Sequence, residues 1–211
     1  MTLVKICGIT SVEDALLSIA AGADALGLNF VPSSKRLVSP ATAAHIVDSV
    51  GDLVEMVAVV ANRSMGDLED LRDATGIRWL QLHGDETPEE LDAVLPDAFK
   101  AIAVGSSDDV ASATRFAGDR ILIDAKSPTE LGGTGTSFDW TLPGVAKLVQ
   151  KRNVIVAGGL RSENVAEAVI KLRPFGVDVA SGVESAGNPR KKDEQKLRAF
   201  VDAVRAAEAK R

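Results

Sequence analysis

The sequence predicts an α/β fold in which eight parallel strands close into a barrel with helices packed outside. Three observations carry that reading over 211 residues. Short apolar runs alternate strictly with longer helical segments, chemical helix-start signals follow the runs, and polar residues gather at the runs' C-terminal ends. Such alternation implies parallel strands joined by helical crossovers, and a closed (βα)8, or TIM, barrel needs at least roughly 200 residues. An open doubly wound sheet is the competitor. The Gly-x-Gly-x-x-Gly expected to open it is absent after the first run, where Lys5–Ile6–Cys7–Gly8–Ile9–Thr10 stands. No linker, low-complexity tract or composition break divides the chain, so residues 1–211 are expected to form one domain.

The strand candidates are Leu3–Cys7, Ala25–Phe30, Val54–Ala61, Trp79–Leu82, Phe99–Val104, Arg120–Asp124, Val154–Ala157 and Gly176–Ala180. Each is strand-length and most are rich in Val, Ile or Leu. Helical spacing falls between them, as in Val12, Leu16, Ile19 and Ala20, or Val165, Ala168, Val169 and Leu172. Thr10–Ser11–Val12–Glu13 and Thr87–Pro88–Glu89–Glu90 fit capping boxes, and Ser39–Pro40 opens another helix. A closing helix runs from Asp193 to about Ala209, with Leu197, Phe200, Val201 and Val204 on one face.

Aromatic residues make up only 4% and tyrosine is absent, so small and branched aliphatics must fill the interior. A net charge of -6 disfavours a nucleic-acid partner. The one cationic cluster, Arg190–Lys191–Lys192, is followed at once by Asp193–Glu194 and reads as a solvated loop and helix start. A single cysteine excludes an internal disulfide. Neither a secretion signal nor a membrane-length apolar run is visible, so a cytoplasmic protein without a membrane partner is expected. The sequence assigns no oligomeric state.

In a barrel of this kind, reactive residues belong at the C-terminal ends of strands. Cys7, Asn29, His83 and Asp124 stand at such ends. Strand side chains alternate, so Lys5 shares a face with Cys7, Gln81 with His83, and Leu122 with Asp124. Each has a bland reading. Cys7 could be a small buried hydrophobe, Asp124 a loop cap, His83 a satisfied structural histidine, and His45 a helix-surface residue. Two histidines and one cysteine, far apart, do not make a zinc site. No metal or cofactor is expected.

Glycines mark the late loops: Gly132–Gly133–Thr134–Gly135, Gly158–Gly159 and Ser181–Gly182. They could serve only as tight turns. Together, at the same end of a barrel, they point to phosphate held by backbone N–H groups of Gly133, Gly135, Gly158, Gly159, Ser181 and Gly182.

These motifs carry a family resemblance. The opening Lys5–Thr10 segment, Pro32–Ser33–Ser34–Lys35–Arg36 with Val38–Ser39–Pro40, and Gln81–Leu82–His83–Gly84 resemble phosphoribosylanthranilate isomerases. So do Leu122–Ile123–Asp124, the glycine motifs, and Gly176–Val177–Asp178–Val179 leading to Ser181–Gly182–Val183–Glu184. The resemblance spans nearly the whole chain and implies a cofactor-free Amadori rearrangement of a phosphorylated aminosugar in tryptophan biosynthesis. It implies Cys7 as general base, Asp124 as general acid and Arg36 as holder of the anthranilate carboxylate, with Gln81, His83 and Asp178 at the substrate. Such chemistry needs Asp124 protonated, above its ordinary pKa of roughly 3.9, and Cys7 partly thiolate, below its ordinary value of about 8.5. Lys5 could favour that thiolate, but it is expected mainly to pair with Asp178, because the eighth strand adjoins the first in a closed barrel. A histidine-pathway aminoaldose isomerase would call for aspartate where Cys7 stands, and a metal-dependent epimerase would call for more histidines. A non-catalytic phosphate-binding barrel would have no use for Cys7 together with Asp124.

Overall fold

The computed structural model describes residues 1–125 and 142–210. The glycine expectation at Gly133 and Gly135 lies outside the described residues. Eight parallel strands are β1 (Leu3–Cys7), β2 (Ala25–Asn29), β3 (Glu55–Val60), β4 (Trp79–Leu82), β5 (Ala98–Val104), β6 (Arg120–Ala125), β7 (Asn153–Val156) and β8 (Gly176–Val179). Each pairs with the next, and β1 pairs with both β2 and β8, so the sheet closes into the expected barrel. Strand ends differ from the hydropathy reading by about a residue, because pairing rather than apolarity defines them.

The helices among the described residues are α1 (Val12–Ala21), α2 (Pro40–Val50), α3 (Met65–Thr75), α4 (Pro88–Asp92), α5 (Ser107–Ser112), α6 (Val145–Lys151), α7 (Ser162–Leu172) and α8 (Glu194–Glu208). Side chains of Ser11, Ser39, Ser64, Thr87, Ser106 and Asp193 each accept a first-turn N–H, as their sequence positions dictate. The box at Thr87 forms with Glu90. At α1 the cap is Ser11, and the Thr10 hydroxyl instead donates to the Arg190 carbonyl at 2.6 Å.

The predicted faces of α7 and α8 are buried. That of α1 is only half right: Val12 and Ile19 pack against the core, but Leu16 is 48% exposed and Ala20 is exposed, while Asp14, Ala15 and Ser18 are buried. Small side chains let α1 lie close to the barrel. Asp14 turns inward with them, beside Lys192.

Alternation along the strands divides the interior in two. Val4, Ile6, Leu26 and Leu28 point outward into the large core under the helices. Val57, Phe99, Ala101, Leu122, Ile155 and Ala157 point inward and fill the lumen, with Trp79 and Phe175 packed against them. At the N-terminal mouth Arg120 pairs with Glu55 at 2.5 Å, its guanidinium 4.1 Å from the Trp79 ring and 5.5 Å from that of Phe175. The lumen is thereby closed from below. Inward side chains above the apolar plug face the other mouth.

A two-stranded hairpin, β9 (Glu184–Ser185) and β10 (Asn188–Lys192), follows β8 and was not expected. It corrects the reading of the 190–192 cluster as solvated. Arg190 and Lys191 are exposed, but Lys192 is 2% exposed, its ammonium satisfied by two carbonyls and a carboxylate.

Candidate active site

The polar layer begins one inward position above the plug. Lys5 on β1 and Asp178 on β8 are register partners, and Nζ donates to Oδ1 at 2.6 Å with both residues buried. The expected pairing forms. Cys7 follows Lys5 on the same face and is 8% exposed. Its register partner on β2 is Gly27, where a Cβ would lie 2.9 Å from Cys7 Sγ and 3.0 Å from Lys5 Nζ. Thiol and ammonium therefore meet in space that a side chain on β2 would fill.

Asp124 ends the inward row of β6. Burial raises its carboxyl pKa to about 7, with Asp178 adding to the shift and Lys5 opposing it. Burial likewise pushes the Cys7 thiol up; Lys5 and Lys192 oppose that, and Asp178 reinforces it. Lys5 thus favours the thiolate, as expected, but desolvation wins. Cys7 and Asp124 both stand on the inward row at the C-terminal ends of their strands, and both feel the charges of Lys5 and Asp178.

His83 follows β4, and its Nδ1 lies 2.8 Å from Gln81 Nε2. With the amide donating, the ring carries its proton on Nε2. Burial, with Lys100 next, lowers the imidazole pKa to about 4, so the ring is neutral. His83 Nε2 and Asp124 Oδ2, 3.8 Å apart, are then neighbours and not an ion pair. Gln81 is buried, and its Oε1 has no partner among the described residues.

Arg36 lies in the loop after β2. It donates to Glu184 from Nε at 2.5 Å and from Nη2 at 2.9 Å, a partner that sequence reasoning did not assign. Gly158 and Gly159 directly follow β7, and Ser181 and Gly182 form a single 3-10 turn after β8. Gly182 packs on the Leu160 carbonyl, so these two loops touch. His45 is exposed on α2, as expected. Among the described residues no group of three or more His, Cys, Asp or Glu is disposed to hold a metal ion. Nor is any helix among them long and apolar enough to cross a membrane.

Fold and site together define a (βα)8-barrel enzyme whose titratable groups converge at the C-terminal mouth. The family model for N-(5'-phosphoribosyl)anthranilate (PRA) isomerase matches residues 4–203. The chain belongs to that family of isomerases. It is 40% identical over 201 residues to the N-(5'-phosphoribosyl)anthranilate isomerase of Pelobacter propionicus, covering 95% of this chain and 94% of that one. It is 43% identical over 202 residues to that of Pseudomonas syringae pv. tomato, covering 95% and 96%. The crystal structure of phosphoribosyl anthranilate isomerase from Thermotoga maritima superposes with a TM-score of 0.87 at 36% identity, over 98% of this chain and 100% of that one. A phosphoribosyl anthranilate isomerase in complex with reduced 1-(o-carboxyphenylamino)-1-deoxyribulose 5-phosphate gives 0.84 at 34% identity, with the same coverage.

Proposed function

We propose that the chain, acting as one barrel domain, converts N-(5'-phosphoribosyl)anthranilate to 1-(2-carboxyphenylamino)-1-deoxyribulose 5-phosphate in tryptophan biosynthesis, with Asp124 as general acid and Cys7 as general base. The observation that carries it is the inward placement of Cys7 and Asp124 at the C-terminal ends of β1 and β6, around the buried Lys5–Asp178 pair, with burial holding the Asp124 carboxyl up at about 7. Near neutral pH a large share of Asp124 still holds the proton that the reaction needs.

Asp124 gives that proton to the furanose oxygen as the C1'–O bond breaks, and the anilino nitrogen supplies the electron pair that forms the C1'=N iminium. The iminium acidifies the C2' hydrogen. Cys7 as thiolate removes it, and the C2'–H electrons form C1'=C2' while the C1'=N pair returns to nitrogen. The resulting enolamine tautomerises by moving the C2' hydroxyl proton to C1', leaving a ketone. Oxidation at C2' balances reduction at C1', so no external redox partner is required. Burial favours the thiol in the empty site. The thiol proton passes to solvent as substrate binds, and the cationic iminium, with Lys5 beside the sulfur, stabilises the thiolate that remains.

Arg36 would receive the anthranilate carboxylate on its remaining N–H groups. Neutral His83 and the unpaired Gln81 Oε1 suit sugar hydroxyls, while the Lys5–Asp178 pair holds the field at the C-terminal mouth. Gly158, Gly159, Ser181 and Gly182 would cradle the phosphate, joined by Gly133 and Gly135, which lie outside the described residues. Loss of anthranilate-type fluorescence from freshly made substrate tests the whole reading. Wild-type chain that leaves the signal unchanged refutes it.

A further inference from the structure

The β9–β10 hairpin makes a set of contacts that the proton transfers do not use. Buried Glu184 accepts both bonds from Arg36, and its backbone carbonyl accepts from Lys196 Nζ at 2.7 Å. At the far end, Lys192 Nζ donates to the Cys7 carbonyl at 2.7 Å, the Ala180 carbonyl at 3.3 Å and Glu184 Oε1 at 3.4 Å. Arg190 Nη1 donates to the Leu37 carbonyl at 2.8 Å, one residue beyond Arg36. One hairpin thus ties the end of β1, the loop after β2 and the loop after β8.

Arg36 reaches Glu184 by laying its stem across Gly8, where φ is +77° and any Cβ would collide with Arg36 Cδ. A carboxylate gripping two N–H groups sets both the plane and the rotation of a guanidinium. Nη1 and the second Nη2 hydrogen then form a fixed open edge. Arg36 and Lys192 share the one carboxylate of Glu184, so the lysine helps fix the group that fixes the guanidinium.

We infer that Glu184 and Lys192 are positioning residues that hold the open edge of Arg36 toward an incoming aromatic carboxylate. The hairpin would then be the element that selects a 2-carboxyphenylamino sugar over its unsubstituted phenylamino counterpart. This rests on the reading of Arg36 as the carboxylate holder.

Two stable ligands test it as competitive inhibitors: reduced 1-(2-carboxyphenylamino)-1-deoxyribulose 5-phosphate and its analogue lacking the carboxylate. Glu184→Gln should weaken the carboxylated ligand roughly ten- to a hundredfold, as a misplaced clamp does, and the other by no more than about threefold. KM should rise more than kcat falls. Arg190→Met, on the exposed side of the hairpin, should act in the same direction by about threefold. Arg36→Met should bring the two affinities together. If it leaves their ratio unchanged, the reading of Arg36 fails. If Arg36→Met collapses the ratio while folded Glu184→Gln keeps it within about twofold, the hairpin inference is overturned and the Arg36 reading stands. Should Glu184→Gln not fold, Arg190→Met decides alone, and an unchanged ratio there overturns the inference.

Discussion

At the N-terminal mouth of the barrel, Arg120 meets Glu55 at 2.5 Å between the rings of Trp79 and Phe175; at the C-terminal mouth, Lys5 meets Asp178 at 2.6 Å. Both ends therefore place one cation against one carboxylate over the same apolar plug. The surroundings differ. Below, aromatic faces take up what remains of the guanidinium's charge, and the cluster closes on itself. Above, the ion pair is encircled by a thiol, a carboxyl and an imidazole, and every one of those three has its proton affinity displaced by burial. An ion pair serves as a seal where its neighbours are apolar, and as a fixed field where its neighbours titrate.

The sharpest way to break that contrast is to remove the proton carriers. Cys7→Ser or Asp124→Asn should each lower kcat/KM roughly 10²- to 10⁴-fold, read by the fluorescence assay. Full activity in either variant would strip that residue of its role. Next in size is the field itself. Asp178→Ala strands the buried Lys5 ammonium and should cost about 3–5 kcal/mol in urea denaturation. An unchanged midpoint would mean that the pair does not support the fold.

Proton linkage gives a third test. Asp124 has a folded pKa of about 7, above its unfolded value near 3.9. Between about pH 4 and 7 the folded state keeps a proton that the unfolded state has lost, so stability falls as pH rises through that window. Asp124→Asn should then be inactive yet more stable than its parent at pH 8, by on the order of a few kcal/mol, with the gain gone by about pH 4. His83 acts with the opposite sign. Its folded pKa of about 4 lies below the unfolded value near 6.5, so stability is lost as pH falls from about 6.5 to 4. The two slopes oppose each other in the parent. Denaturation midpoints at several pH values should separate them, with Asp124→Asn weakening toward acid and His83→Gln weakening toward alkali.

The smallest effect belongs to the lower mouth. Arg120→Met should lose about 1–2 kcal/mol and leave kcat/KM untouched. A large drop in activity at native stability would show that the two ends are coupled, and the contrast between seal and field would dissolve.

Much of this was legible in the sequence, for reasons that differ from residue to residue. The parallel strands announce themselves because period-2 and period-3.6 patterning is local, and Cys7 and Asp124 follow as inward residues by counting from Lys5 and Leu122. The Lys5–Asp178 pair follows from closure alone. α1 misled in part: Val12 and Ile19 pack inward as expected, but small Ala15 and Ser18, with Asp14, took the inner face in place of Leu16 and Ala20. Lys192 misled because a lysine beside two other cations and a helix cap looks solvated; nothing nearby in the chain signals the carbonyls of Cys7 and Ala180 that receive it.

By itself the sequence determined which segments become the barrel strands, which of their side chains face the lumen, and that a thiol and a carboxyl share one end. Tertiary structure alone decided the partners and the protons. Arg36 finds Glu184 across 148 positions and Lys192 finds Cys7 across 185, and the proton affinities of Asp124 and His83 come from desolvation that exists only once the barrel has closed. Local patterning is written residue by residue, whereas dielectric environment and charge neighbours belong to the assembled molecule.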